Sequence, residues 1–129
     1  MTVSNLKTLK LTHDPDLKAV AMEWTGFSSS AQFREANENV LDLIRETRST
    51  KLIADTRNMK IISLQDQQWL YQDWLPRTIS AGLTHAAIIE SEDFFNKLSV
   101  DNVVQKINDQ LTIKYFTTLL SARNWLRQL

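Results

Sequence analysis

The chain of 129 residues reads as one α/β domain: a five-stranded, mainly parallel sheet with one antiparallel edge hairpin strand and four helices. Three observations predict this. Leu52-Ile53-Ala54 and Ala86-Ala87-Ile88-Ile89 are short continuous apolar runs, the form of parallel strands buried on both faces. Around them, apolar residues recur at helical spacing. The two patterns alternate regularly, which favours strand–helix–strand units with right-handed crossovers.

Leu6 to Thr12 sets Leu9 and Leu11 on one face and Lys10 on the other, and His13, Asp14, Pro15 and Asp16 then carry turn chemistry. An edge strand entering a hairpin is expected. In Leu17 to Trp24, Leu17, Ala19 and Ala21 line one side and Val20, Met22 and Trp24 the other, which places this strand inside the sheet. Ser29 with Gln32 forms a capping box, and Phe33, Ala36, Val40, Leu43, Ile44 and Thr47 follow at helical spacing. The first helix therefore runs from about Ser29 to Arg48, with Arg34, Glu35, Glu38, Asp42 and Arg45 turned to water. The Leu52 strand ends at Asp55. A second helix from about Ser63 to Ala81 puts Leu64, Leu70, Tyr71, Trp74, Leu75 and Thr78 on one arc. After the Ala86 strand, a third helix carries Val100, Val103, Val104 and Ile107. Ile113, Tyr115 and Phe116 supply the last strand, and Thr118 caps a final helix bearing Leu119, Ala122, Trp125 and Leu126.

Fifteen Lys and Arg balance fifteen Asp and Glu, so no field draws the chain to a phosphate backbone or an anionic membrane, and no nucleic-acid partner is expected. With no Cys there is no disulfide, thiolate nucleophile or Cys-based metal site, which fits a cytoplasmic protein. Two Gly are too few for a phosphate-cradling loop. Met1 to Lys10 lacks a basic flank followed by an apolar core, and no stretch reaches bilayer-spanning length, so neither export nor membrane insertion is expected. His13 and His85 sit in no metal or nucleophile motif; they read as a turn residue and a strand-end residue, with no metal or cofactor expected.

Several segments together resemble the SpoIIAA-like family: Trp24-Thr25-Gly26-Phe27, Leu52-Ile53-Ala54-Asp55-Thr56-Arg57, Gln67-Gln68-Trp69, Gly82 before Ala86-Ala87-Ile88-Ile89, and the closing Phe116, Ala122 and Trp125-Leu126. The likeness covers nearly all of 1–129 and implies the fold shared by STAS domains and CRAL-TRIO lipid-binding domains. It implies a fold more strongly than an activity; with no catalytic constellation, phosphate loop, metal spacing or charge bias in the sequence, a non-enzymatic bacterial regulatory or protein-interaction module is expected. In anti-sigma-factor antagonists of that superfamily an Asp-Ser pair ends the corresponding strand, and its serine is a phosphorylation switch at the start of the next helix. The matching pair here is Asp55-Thr56, although Arg57, Asn58, Met59, Lys60, Ile61 and Ile62 intervene before Ser63 can cap a helix. The CRAL-TRIO side implies an alternative, an apolar small molecule or lipid in a pocket between the second and third helices, lined by Tyr71, Trp74, Phe94 and Phe95.

Asp55 stands where open α/β sheets place their sites. Receiver-type phosphoryl chemistry would need an acidic pair after the first strand and a lysine ending a late strand. Leu6 to Thr12 contains no acid and Lys114 lies inside its strand, so Asp55 reads as accepting loop N–H groups or pairing with Arg57. Trp24, Trp74 and Trp125 fit apolar faces. Trp69 misses the arc of its helix and lies beside Asp73 and Pro76, so either a bend at Pro76 or the preceding loop covers it, or it is an exposed anchor. The second reading predicts a homodimer in which Trp69 and Asp73 meet the partner copy.

Overall fold

The computed structural model describes residues 2–5 and 7–129. Leu6, where the first strand was expected to start, lies outside them. The sheet is mixed, and its strands lie side by side in chain order: β1 (Thr2–Asn5), β2 (Leu9–Asp14), β3 (Ala19–Gly26), β4 (Lys51–Met59), β5 (His85–Ile89) and β6 (Thr112–Phe116). All five expected strands form. β1 is a sixth, pairing antiparallel with β2, so β2 is not the edge. β2 and β3 make the expected antiparallel hairpin, and β3, β4, β5 and β6 run parallel.

Helix α1 (Ser30–Thr47) begins with the expected capping box between Ser29 and Gln32 and ends at Arg48 in the left-handed conformation. The second helix is one continuous rod in three parts: α2 (Leu64–Trp69), a π-helical turn (Leu70–Trp74) and α3 (Leu75–Ser80). In the π turn, Leu75 N–H donates to Leu70 O, five residues back. Pro76 follows at once. It has no N–H and its ring crowds the carbonyl four residues earlier, so widening the preceding turn keeps the rod unbroken. Helices α4 (Phe94–Ile107) and α5 (Leu119–Arg127) are capped by Asp93 and by the predicted Thr118.

Consecutive parallel strands joined by crossovers of one hand put every crossover helix on the same face. Accordingly α1, α2–α3 and α4 share a single core with Val20, Met22, Trp24, Leu52, Ala86 and Ile88. The opposite face is covered by α5, whose Ala122 and Leu126 pack on Ala19, Ile53, Ala87 and Ile89. β3, β4 and β5 thus feed two cores through alternate residues. Trp74 is 2% exposed, and its Nε1 donates to Asn37 O at 2.7 Å, tying the rod to α1.

Trp74→Ala is expected to cost about 3–5 kcal/mol, because it leaves a cavity and strands the Asn37 carbonyl. Urea unfolding monitored by circular dichroism would check it; a loss below about 1 kcal/mol would contradict this account of the core.

Candidate functional site

Asp55 does not lie at a loop mouth. β4 continues to Met59, carried past the end of β5 by a register irregularity against β3 between Glu23 and Thr25. Asp55 is the last residue of β4 to pair with β5, opposite Ile89, and its carboxylate is fully engaged by Arg57. Oδ1 accepts from the Arg57 backbone N–H at 3.1 Å and from Nε at 3.0 Å, and Oδ2 accepts from Nη2 at 2.7 Å. These bonds raise the Arg57 pKa above its ordinary value. The arrangement is the local structural pairing the sequence favoured.

Thr56 is 5% exposed. Its hydroxyl donates to Ile89 O at 2.8 Å, and its own carbonyl accepts from Asn96 Nδ2 at 3.1 Å. A phosphate cannot be added without breaking the β4–β5 edge and the tie to α4. The switch implied by the Asp55-Thr56 pair is therefore withdrawn: β4 continues to Met59, which keeps Thr56 within the strand and away from the helix start that Ser63 caps.

Trp69 is not a bare anchor. Its ring is half-buried against the main core, edge-on to Phe33 at 6.5 Å, with the Arg34 and Arg77 guanidinium groups over it at 5.3 and 6.0 Å. Those two arginines are held in place: Arg34 Nε bonds Asp66 at 3.0 Å, and Arg77 pairs with Glu38 and, at 3.1 Å, with the exposed Asp73. Arg34 and Glu38, expected in water, are half-buried because they face this rod. A uniform helical wheel missed the contact because the π turn shifts the face of α2 relative to that of α3. Leu64, placed on the apolar arc by the same wheel, is exposed.

The four residues expected to line one pocket are not together. Trp74 lines an apolar cavity of about 100 Å³ between the sheet and the helices, with Met22, Leu52, Ile88 and Val103. Tyr71 is half-buried at the side of this core, while Phe94 and Phe95 are 67% and 65% exposed, ring against ring at 5.5 Å. They belong to another feature. Phe27 follows β3, Ile61 and Leu64 follow β4, Phe94, Phe95 and Leu98 follow β5, and Leu119 and Leu120 follow β6. Among the described residues, every exposed large hydrophobic side chain except Leu129 therefore stands at the carboxyl edge of the parallel sheet. Beside them a crevice of about 600 Å³ opens among Arg57, Glu90, Phe94 and Lys97, with Lys97 bonded to Glu90 at 2.9 Å. Phe27 and Ile61 in loops, and residues in the first turns of α2, α4 and α5, gave no periodic signal; Phe94-Phe95 directly after Asp93 was the one visible hint.

Among the described residues, no three His, Asp or Glu side chains gather as a metal site, and no helix is long and apolar enough to cross a membrane. No family model matches the chain, and neither a curated protein nor a solved structure is detectably similar to it.

Three outcomes are expected. Thr56→Glu, which buries a charge without a partner, should leave the protein largely unfolded by circular dichroism, whereas Thr56→Val should cost about 1 kcal/mol. Trp69→Ala should lower stability by about 2 kcal/mol in urea, since its cover comes from its own chain; an unchanged midpoint would restore the exposed-anchor reading. Arg77 hydrogen bonds hold the Glu38 carboxyl below its ordinary range. The folded state thus favours the ionised form, and the stabilisation, present above the unfolded glutamate pKa of about 4.3, is lost as pH falls through the lower folded value. Both side chains are partly in water, so the effect is small. The stability gap between wild type and Glu38→Gln should shrink as pH falls below about 4.

Proposed function

We propose that this chain is a non-enzymatic regulatory or protein-interaction module resembling the SpoIIAA-like family, and that it docks through the carboxyl edge of its sheet. The observation that carries the reading is that the exposed Phe27, Ile61, Leu64, Phe94, Phe95, Leu98, Leu119 and Leu120 all follow the carboxyl ends of β3, β4, β5 and β6. Water-exposed apolar groups are ordinary when scattered, whereas a clustered set marks a contact surface. The engaged carboxylate of Asp55 and the bonded hydroxyl of Thr56 supply neither a free base nor a free nucleophile at this edge, which weighs against an enzyme.

A second copy of the chain is the proposed first occupant. Two ion pairs stand beside the apolar edge, Asp55 with Arg57 and Glu90 with Lys97, and the exposed Lys60, Glu92 and Asp93 add one positive and two negative charges, so the rim is close to neutral and does not repel its own copy. It lacks the cationic excess that would favour an anionic membrane. A two-fold contact needs only this one self-complementary surface, and Phe94 beside the crevice has the shape of a central anchor. The dimer is thereby relocated from Trp69 to this edge. The apolar-ligand alternative has less support: a cavity of about 100 Å³ is small against the roughly 300–1,000 Å³ of ordinary ligand sites.

Sedimentation equilibrium tests the proposal. Wild type should dimerise, and Phe94→Ser/Phe95→Ser should raise the dissociation constant at least about tenfold with an unchanged urea midpoint. A wild type that remains monomeric at millimolar concentration, or a variant that dimerises as well as wild type, would overturn it.

A further inference from the structure

The opposite edge of the sheet carries a different chemistry. Where β3, β4 and β5 begin, a cleft of about 660 Å³ is lined by Lys18, Lys51, His85, Arg123 and Arg127, with Asp16 the one acidic side chain on its wall. In a chain of zero net charge, four Lys and Arg side chains from the hairpin turn, β4 and α5 thus meet in one concavity. We infer that this cleft binds a small polyanion, and that its ligand is a soluble phosphate ester.

The basic groups are not equally engaged. Lys51 Nζ donates to Leu126 O at 3.1 Å, offsetting the negative carboxyl end of α5 that would otherwise repel an anion. Arg123 pairs with Asp14 at 2.7 Å. Among the described residues neither Lys18 nor Arg127 forms an ion pair; Arg127 donates only to Asn124 Oδ1, at 3.2 Å. These two have charge to offer. His85 is held at the wall, its Nδ1 2.8 Å from Thr84 Oγ1 and its ring 5.8 Å from that of Trp125. A concave site in which four cationic side chains face one carboxylate side chain carries a net positive field and raises the local concentration of anions, and the volume suits a small molecule.

Lys18 adds an independent observation. Its φ is 56°, at the end of a turn closed by its N–H to Pro15 O, a position where glycine is the unstrained choice. The carbonyl of Lys18 accepts from both Thr50 and Lys51 N–H, so the turn is fixed on the cleft wall. A lysine kept in a conformation that disfavours side chains is accounted for by a role for its ammonium group.

Titration with inorganic pyrophosphate, followed by two-dimensional amide NMR at constant ionic strength, tests the inference. Saturable shifts are expected at Lys18, Thr50, His85 and Arg127. Lys18→Gly and Arg127→Gln should each weaken binding about tenfold, equivalent to about 1.4 kcal/mol. Lys18→Gly should also unfold no earlier than wild type, which separates lost binding from lost folding. Pyrophosphate shifts no larger than those from sodium chloride, or variants that bind as wild type does, would overturn the site. Co-sedimentation with phosphatidylcholine vesicles, with and without phosphatidic acid, separates the two sources of a phosphate ester. The protein should stay in the supernatant; pelleting with phosphatidic acid that Lys18→Gly abolishes would replace the soluble ester with a lipid headgroup.

Discussion

The strict chain order of the strands is the constraint on which the rest of this molecule depends. With β3, β4, β5 and β6 parallel and adjacent in sequence, crossovers of one hand carry α1, α2–α3 and α4 to one face. That face receives the large core, from Leu9 on β2 to Ile107 on α4. The other face has no crossover helix, and α5, free of that constraint because it follows the last strand, is what covers it. Its core is correspondingly small and alanine-rich, with Ala19, Ala87 and Ala122 allowing the short helix to lie close to the sheet.

The same order polarises the two edges. Every connection that leaves a parallel strand emerges at the carboxyl edge, and these connections hold the exposed Phe27, Ile61, Phe94 and Leu120. Strand starts and the last turn of α5 collect at the amino edge, where Lys18, Lys51 and Arg127 meet. One apolar rim and one basic cleft thus sit at opposite ends of a chain whose overall charge is zero. Between them, Asp55 and Thr56 serve the framework: one fixes Arg57 across the strand extension, the other joins β4 to β5.

The rod under Pro76 shows how a local backbone event redirects a side chain. The π turn at Leu70–Trp74 absorbs the missing donor and the steric demand of the proline, and the segment before it presents Asp66 and Trp69 to α1. Arg34 and Arg77 then enclose the indole from two helices, anchored by Asp66 and Glu38. An aromatic ring that looks misplaced on a uniform wheel becomes the centre of a helix–helix contact, and its covering groups are charged, as the face of an indole favours.

Local information in the chain was enough for the α/β class, the five expected strands and the capped helices, because these depend on spacing and on near-neighbour chemistry. Ser29 with Gln32, Ser63 and Thr118 cap where their oxygens can reach N–H groups two or three residues on, and alternating residues in Ala86-Ala87-Ile88-Ile89 divide between two cores. The sixth strand, the continuation of β4 to Met59 and the π turn escaped it, since pairing partners and turn widening involve groups distant in sequence or lack a compositional mark. Placement of the functional groups was decided by tertiary structure alone. Residues 18, 51, 123 and 127 share a cleft, and residues 27, 61, 94 and 120 share an edge, because a sheet assembled in chain order brings the ends of its strands together, and no periodicity along the chain records that convergence.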